Sequence, residues 1–348
     1  MSQATRDRLR SLLHLRALLD GWLGSGLIAG ALFVGLGTTI LGCGIWMPGR
    51  SLDVEPPASA EEQARTERLR AHTEALATRI GERNRQEYEP LVSAREYVVA
   101  QLEAAGYAPE ILAYDFDGDS FANIEAVHEG PEPSVVIGAH YDSAEGSPGG
   151  NDNASGVAVL IELARELKSR PLGGAVRFVA FTNEEPPYFN TGLGMGSAVY
   201  VNGLAARSIE VRAMLSLDSV GYYDSRPGSQ NLPPILSWLY PSMGDYIAVV
   251  GEYSQRSLVR SVVEELRKAE RLKVEGLAVW GAVPGITWSD HRSFTRKGIP
   301  AVLVTDTATK RDPFYHTRRD TPERLDHERM SRLVTALARA VETLARSQ

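Results

Sequence analysis

The chain is 348 residues long, is 43% hydrophobic and carries a formal net charge of -7 at pH 7. This length suits one large α/β domain or two small ones, and the apolar content is enough to bury a core that holds a rigid site. The mild negative charge, with no basic patch and no interleaving of aromatic and basic residues, argues against a nucleic-acid-binding protein. The single cysteine, Cys43, excludes an intrachain disulfide.

The N-terminal residues predict a membrane anchor. Residues 1–20 are rich in arginine, whereas residues 21–49 contain no charged residue. An uncharged apolar run of this length can span a bilayer, and Trp22 and Trp46 lie near its ends, where interfacial aromatic residues are common. The positive-inside rule then predicts a cytoplasmic tail at 1–20, a transmembrane anchor at 21–48, and an extracytoplasmic location for the rest, in a bacterial envelope or at a cell surface.

Two other interpretations of this run stay open. The segment Ile40-Leu41-Gly42-Cys43 resembles a lipobox, so the run would be a lipoprotein signal that ends at Cys43. A buried core helix is the other interpretation, and the many glycines argue against it because glycine weakens a helix in water. Both membrane interpretations place a linker at 49–60 and a single domain at 61–348 on the outer surface.

Beyond the linker, apolar patterns predict alternating helices and strands, which is typical of an α/β fold with a mostly parallel central sheet and helices on both faces. The proline-rich segment 225–245 has no clear period, and its length favours a lid or a binding loop. In chain order the predicted elements are helices at 61–81 and 91–105, a strand at 134–139, a helix at 154–167, a strand at 175–181, a helix at 195–206, a strand at 211–217, a helix at 257–271, a strand at 301–304 and a helix at 323–346.

Polar residues, among them Asp306, lie just past several of the predicted strands, and ligands bind at the carboxyl ends of strands in this kind of fold. Two imidazoles and three carboxylates suit a pair of zinc ions, with three ligands each and one carboxylate shared as a bridge. Glu184 has the right side chain for the base that deprotonates a metal-bound water. The five candidate metal ligands are His140, Asp152, Glu185, Asp218 and His316.

Each motif also has a structural alternative when it is taken singly. His140, followed two residues later by Asp142, suits an imidazole oriented by a carboxylate, although this pair is also common in surface turns. Asp152 precedes a predicted helix and would serve equally well as its N-cap. Glu184 and Glu185 would repel each other in a dry cleft without a cation, but they would be unremarkable at an exposed strand end. A lone histidine is more often structural than ligating.

Together and in this order the motifs resemble the co-catalytic two-zinc exopeptidase superfamily, which includes bacterial leucyl aminopeptidases, glutamate carboxypeptidase, glutaminyl cyclase and the transferrin receptor ectodomain. The resemblance covers residues 65–346. It implies that Glu184 is the general base that activates a zinc-bridging water and that Asp142 orients a ligand imidazole. It further implies that one zinc is held by His140 and Asp218, the other by Glu185 and His316, and both by Asp152.

The resemblance also suggests residues that support the site. The segment Trp288-Ser289-Asp290-His291 is similar to a Ser-Asp-His motif that lines the site in this superfamily, so Asp290 and His291 are given a supporting role. Tyr315, directly before the last ligand, is expected to contact substrate or its transition state. The chain departs from the usual pattern at Pro186-Pro187-Tyr188-Phe189-Asn190, which predicts an extra loop beside the base and a reshaped specificity pocket.

The function implied is removal of N-terminal residues from peptides with a free N-terminus, by an aminopeptidase with two Zn²⁺ per chain. Two alternatives stay open. One is a glutaminyl-cyclase-like enzyme with one zinc, or a carboxypeptidase, on the same fold. The other is a non-enzymatic, receptor-like surface module, against which the complete set of ligands and base argues. The sequence predicts neither the preferred N-terminal residue nor the oligomeric state.

Overall fold

Eight strands form one central sheet in the computed structural model, which describes residues 46–346. The predicted tail and the predicted anchor up to residue 45 lie outside the described residues. Within the described range, no helix is both long enough and apolar enough to cross a membrane. In chain order the main elements are α1 (Ala60–Glu74), α2 (Tyr88–Ala104), β1 (Glu110–Phe116), β2 (Asp119–His128), β3 (Ser134–His140), α3 (Gly156–Leu167), β4 (Val176–Phe181), α4 (Gly196–Gly203), β5 (Val211–Leu217), α5 (Pro234–Ser237), β6 (Ile247–Glu252), α6 (Arg256–Lys268), β7 (Val274–Val279), α7 (His291–Thr295), β8 (Ala301–Thr305) and α8 (His327–Arg346).

The strand order is β1-β2-β4-β3-β5-β8-β6-β7. The four middle strands, β4, β3, β5 and β8, run parallel to one another. At one edge β2 pairs antiparallel with β4, and β1 pairs antiparallel with β2. At the other edge β6 pairs antiparallel with β8, while β7 runs parallel to β6. This arrangement confirms the predicted α/β class and its mostly parallel sheet.

Both faces of the sheet are buried, as the parallel strands require. Along β3, Val135 and Ile137 belong to a large apolar cluster that also takes in α1, α3, α6 and α8. Val136, between them, points to a smaller cluster on the opposite face. There it meets Tyr200 of α4 and Phe294 of α7. This alternation follows from the two-residue period of a strand.

Four strands were not predicted from the sequence, because polar residues or glycines interrupt their apolar patterns: β1, β2, β6 and β7. In β2, Asn123 is buried and donates to the carbonyl of Gly196. Glu125, also buried, accepts a hydrogen bond from the hydroxyl of Tyr200 at 2.6 Å. Edge strand β1 is half exposed. Strands β6 and β7 are short and each contains a glycine.

The first and the last of the predicted helices are each divided into two parts. The first continues beyond α1 as a π-helical turn at Ala75–Ile80. The last begins at His327 because Pro322–Arg324 forms a separate 3₁₀ turn.

The residues predicted as a linker lie against the rest of the chain. The guanidinium of Arg267 donates to the carbonyl of Gly49 at 3.2 Å, and Ser51 Oγ accepts the backbone N–H of Val274 at 2.9 Å. Glu55 forms an ion pair with Arg329 of α8 at 3.0 Å. The segment is therefore bonded to three later elements before α1 begins.

Candidate metal centre

The middle strands of the sheet bring the candidate residues to one edge. His140 is the last residue of β3, Glu184 and Glu185 follow β4, and Asp218 follows β5 directly. Because these strands are parallel neighbours, their carboxyl ends meet at the same edge of the sheet. Asp152 comes from the turn just before α3.

His316 reaches the same edge from the loop between β8 and α8. Its backbone has a φ of 56°, in the left-handed region that side chains other than glycine rarely adopt. Such conformations cluster at functional sites, where the surrounding structure holds them in place.

Two sets of three ligand-type side chains share one carboxylate. The first set is His140, Asp152 and Asp218, and the second is Asp152, Glu185 and His316; within each set the ligand atoms lie within 4.8 Å of one another. The two oxygens of Asp152 face different imidazoles, with Oδ1 at 3.2 Å from His140 Nε2 and Oδ2 at 3.0 Å from His316 Nε2. Asp152 is therefore shared by the two sets.

The remaining distances are consistent with the same two sets. Asp218 Oδ2 lies 3.9 Å from His140 Nε2, and Glu185 Oε1 lies 3.2 Å from His316 Nε2. A third set of possible ligands consists of His140, Glu184 and Glu185. Glu184 belongs to neither of the sets that share Asp152.

The donor atoms fit bound cations. Both ring nitrogens of His140 and one carboxylate oxygen of Glu185 are buried and make no hydrogen bond within the described chain. Buried polar atoms without a partner are costly, and nitrogen and carboxylate donors at this spacing are those that zinc prefers.

Crowded negative charge shifts the acid–base behaviour of the site. Burial and neighbouring carboxylates raise the pKa of Glu184 well above its ordinary value. Burial, together with the charge of Asp152, raises the pKa of Glu185 to about 8. Although burial lowers the pKa of His316, the nearby carboxylates of Asp152 and Glu185 outweigh it and raise that pKa to about 10. Cations would relieve the repulsion among these carboxylates.

Two further aspartates hold the loop that carries Asp152. The carboxylate of Asp320 accepts the backbone N–H groups of Asn151 at 2.7 Å and Asp152 at 3.0 Å. The carboxylate of Asp306 accepts the side-chain amide of Asn151 at 2.8 Å and the backbone N–H of Tyr222 at 2.8 Å. Asp306, which directly follows β8, was noted among the polar residues past the predicted strands but was given no role, and Asp320, four residues after His316, was not among the predicted site residues.

A buried arginine joins the loops that follow β3. The guanidinium of Arg83, fully buried, donates to the backbone carbonyls of Tyr141 at 2.7 Å, Pro148 at 2.6 Å and Gly149 at 3.0 Å. Burial lowers the pKa of Arg83 to about 10, so the side chain stays charged at neutral pH. No sequence pattern marks this residue, because its partners are backbone atoms of distant loops.

Asp290 and His291, predicted to support the site, are both buried. Burial raises the pKa of Asp290 to about 7, and both of its oxygens lack a hydrogen-bond partner within the described chain. Burial lowers the pKa of His291 to about 4, so its ring is neutral and Nε2–H donates to the carbonyl of Ile286 at 2.8 Å. His291 therefore braces the loop before α7.

Tyr315 stacks on its neighbour His316, with ring centroids 3.9 Å apart and planes 13° from parallel. Both Tyr315 and the candidate ligand Asp218 line an apolar cavity of about 130 Å³. The segment 225–245, predicted as a lid or binding loop, supplies part of the wall. Leu236 is one of its side chains in the wall, and the side chains from elsewhere include Val250, Leu277, Ile286, Trp288 and Leu303.

Comparison with known proteins finds a relative that matches most of this chain and a named aminopeptidase that matches a shorter part of it. The uncharacterized protein YfbL of Escherichia coli is 39% identical over 289 residues, which cover 79% of this chain and 87% of YfbL. Aminopeptidase YwaD of Bacillus subtilis is 33% identical over 58% of this chain and 40% of YwaD. The chain therefore spans less than half the length of this named aminopeptidase.

Solved structures share the fold. BSAP, a zinc aminopeptidase from Bacillus subtilis, gives a TM-score of 0.64 at 18% identity over 81% of this chain and 95% of BSAP. The glutaminyl cyclase of Porphyromonas gingivalis gives a TM-score of 0.58 at 18% identity over 80% of this chain and 98% of the cyclase. At such low identity these likenesses show the fold alone.

The family model for peptidase family M28 matches residues 122–341, more than half of the chain. The matched range contains every candidate metal ligand, Glu184 and Asp142. The match confirms the superfamily predicted from the motifs and the prediction of a metallo-exopeptidase. The protein belongs to peptidase family M28.

Proposed function

We propose that the protein is an aminopeptidase that uses two zinc ions and removes N-terminal residues from peptides with a free N-terminus. The observation that carries this proposal is the position of Asp152, whose two oxygens face two separate sets of ligand-type side chains. The aminopeptidase relative and the fold of a zinc aminopeptidase support it.

Each zinc would be held by three side chains. His140, Asp218 and one oxygen of Asp152 would hold the first ion, and Glu185, His316 and the other oxygen of Asp152 the second. When bound, the ions lower the pKa of a water molecule and polarise the scissile carbonyl.

Glu184 is the proposed general base. Its Oε2 lies 4.0 Å from His140 Nε2, so it is beside the first set of ligands without belonging to it. From this position the carboxylate takes the proton of the attacking water and passes it to the amine that leaves. The buried surroundings keep bulk water away from the carboxylate.

The surroundings of the site also suit a free N-terminus. The free amine would be held by a zinc ion or by a nearby carboxylate, while the side chain of the same residue can enter the apolar cavity beside Asp218. The cavity therefore favours an apolar N-terminal residue.

A glutaminyl-cyclase-like activity is the second candidate, because the fold of a solved cyclase matches this chain over 98% of the cyclase. Such an enzyme would release ammonia from peptides with an N-terminal glutamine and would hold one zinc.

One experiment separates these functions. The full chain, purified in detergent, is analysed for metal by mass spectrometry and assayed on short peptides with free and with blocked N-termini. Two zinc ions per chain and hydrolysis of free N-termini alone are expected. Ammonia from glutaminyl peptides with one zinc would favour the cyclase, and bound metal without turnover of any peptide would favour a non-enzymatic module.

The membrane anchor at 21–48 and the extracytoplasmic location of the peptidase domain are also proposals, based on the charge pattern of residues 1–50. Carbonate extraction of membranes from cells that make the full chain tests the anchor. Labelling of the Cys43 position with a lipid precursor, compared with Cys43→Ser, tests the lipoprotein alternative.

A further inference from the structure

We infer that the outer edge of the sheet, at β7, lies on the lipid bilayer and that the exposed side chains of Trp238, Leu239 and Trp280 enter its interfacial region. This second membrane contact goes beyond the peptidase activity. It rests on the proposed membrane attachment of the N-terminus, in either its transmembrane or its lipoprotein form. Because segment 225–245 supplies part of the cavity wall, the contact would hold that part of the wall at the membrane surface.

The N-terminal residues of the peptidase domain are bonded to α6 and β7. The guanidinium of Arg267, in α6, donates to the carbonyls of Pro48 at 3.1 Å and Gly49 at 3.2 Å. It also donates to the carbonyl of Val274, the first residue of β7, at 2.9 Å. These bonds fix the segment that directly follows the uncharged run, so a chain that continues into a membrane must do so from this edge of the sheet.

The segment runs along β7 in a direction that can be read from two contacts. Ser51 Oγ accepts the backbone N–H of Val274 at the start of the strand. Met47 lies further along, because a Cβ atom placed on Gly276 would come within 2.9 Å of its sulfur. Followed backwards from Ser51 to Met47, the chain therefore heads towards the carboxyl end of β7. Cys43, the attachment point in the lipoprotein alternative, is only four residues before Met47.

Large apolar side chains are exposed along the same edge strand. Trp280 directly follows β7 and is 56% exposed. Trp238 is 87% exposed and Leu239 is 50% exposed. Their neighbour Tyr240 joins them to the edge, because its hydroxyl donates to the carbonyl of Gly276 at 2.7 Å. A group of exposed apolar side chains of this size marks a surface that contacts a partner.

The chemistry of this surface fits a bilayer. Tryptophan is enriched at membrane–water interfaces, where its apolar ring and polar N–H are both accommodated. The nearby basic residues Lys268, Arg271 and Lys273 are each paired with an acidic side chain, so the contact is mainly apolar. A chain already attached to the membrane holds this surface at a high effective concentration next to the lipid, and a few apolar side chains are then sufficient.

The test is photo-crosslinking in the membranes of cells that make the full chain. A photoreactive benzoylphenylalanine replaces Trp238, the lipids carry radioactive acyl chains, and crosslinks from this position to lipid are expected. The same replacement at Ile111 is the matched control and should give no crosslink above the level without irradiation. Ile111 is also apolar and 50% exposed, but it lies on β1, the strand at the opposite end of the sheet.

A second set of variants tests the contribution of the Trp238 ring. Here the photoreactive residue replaces Leu239, and Trp238 is either kept or changed. Burial of a large apolar side chain favours a contact by roughly tenfold or more, so Trp238→Ala should lower the yield of lipid crosslinks. Trp238→Phe keeps an aromatic ring and should keep most of the yield. Neither Trp238 nor Leu239 lines the cavity, so peptide hydrolysis in detergent should stay at the wild-type rate.

The outcomes separate this contact from the proposed attachment. If the chain resists carbonate extraction but position 238 gives no lipid crosslink, the contact is wrong and the attachment stands. If carbonate releases the chain, both are wrong. Crosslinks from position 238 to a second copy of the chain or to residues 1–45 would overturn the contact, because protein would then cover this surface. Equal lipid crosslinking from positions 238 and 111 would overturn it too, since the lipid would show no preferred edge.

Discussion

Asp142 accepts a hydrogen bond from the backbone N–H of Glu184 at 3.2 Å, although the two residues are 42 positions apart. The other oxygen of Asp142 accepts the N–H of Glu185 at 3.1 Å. Oδ1 of the same carboxylate lies 3.5 Å from Nδ1 of His140. One buried carboxylate therefore fixes a candidate ligand of the first zinc, a candidate ligand of the second zinc, and the proposed base.

Asp142→Asn is expected to lower zinc affinity or kcat/KM by about 10- to 100-fold, which is typical for a residue that orients metal ligands. The amide has only one acceptor oxygen, so at least one of the two backbone N–H groups loses its partner. Competition with a chromophoric chelator measures the affinity, and peptide hydrolysis measures the rate. Wild-type values for both would show that Asp142 does not position the site.

Glu184→Gln is expected to keep both zinc ions and to lose at least roughly a hundredfold in kcat, the usual contribution of a general base. The amide preserves the shape of the side chain but cannot take a proton at neutral pH. Metal analysis and steady-state kinetics on the same preparation check both halves of the prediction. Glu185→Gln is the matched comparison, since it should lose metal as well as activity.

The candidate site residues could be placed at one edge of the sheet from the sequence, whereas four strands could not be predicted, and the reasons are physical. His140, Glu185 and Asp218 could be placed there because each lies at, or within four residues of, the carboxyl end of a buried parallel strand whose apolar pattern is easy to recognise. Strand β2 could not, because its buried Asn123 and Glu125 are paired with residues far away in sequence. The apolar pattern predicts a strand only where its buried residues are themselves apolar.

Two residues that hold the loops around the site could not be predicted from the sequence either. Arg83 and Asp320 form hydrogen bonds with backbone atoms of other loops. Because every residue has a backbone, these bonds do not restrict which residue types occur at the partner positions. The metal ligands, by contrast, are restricted to few residue types, and this restriction makes them recognisable.

Arg83→Met is expected to lower the free energy of unfolding by about 3 kcal/mol or more. It leaves the carbonyls of Tyr141, Pro148 and Gly149 without their buried donor, and each unsatisfied group costs roughly 1–3 kcal/mol. Urea denaturation of the metal-loaded protein measures the change. Arg50→Met, which removes a side chain that is 84% exposed, should leave the midpoint unchanged. Equal midpoints for both variants would mean that Arg83 does not hold these loops.

The buried imidazole of His327 is expected to cause part of the pH dependence of the free energy of unfolding. It is buried at the start of α8, with Nε2 at 2.9 Å from the hydroxyl of Thr73, and burial lowers its pKa to about 4. The unfolded chain binds this proton near pH 6.5, so between about pH 6.5 and 4 the unfolded state holds more protons. Stability therefore falls as the pH is lowered through this window.

His327→Gln removes the titrating group and should flatten this part of the curve. The measurement is the urea midpoint of wild type and variant at several values between pH 7 and pH 4.5, where other groups contribute equally to both chains. Parallel curves would show that His327 does not carry the effect.

Removal of zinc is expected to abolish hydrolysis and to lower the melting temperature together. Without cations, Asp152, Glu184, Glu185 and Asp218 remain close together and mostly buried, and their mutual repulsion opposes folding. A ligand that binds only the folded state stabilises it by about 4 kcal/mol when its free concentration is a thousand times its Kd. Dialysis against a chelator followed by calorimetry measures the shift, and added zinc should reverse it.

Asp152→Asn distinguishes a shared carboxylate from two independent zinc sites. If Asp152 bridges the ions, its replacement weakens both sites at once, so chelation should then change the melting temperature much less than in the wild type. Asp218→Asn removes a ligand of the first ion alone. Chelation should therefore still lower the melting temperature of this variant by the amount that the second ion contributes. If chelation lowers the melting temperature of Asp152→Asn as much as that of the wild type, the carboxylate contributes to neither site. The two-zinc arrangement proposed from its position would then be wrong.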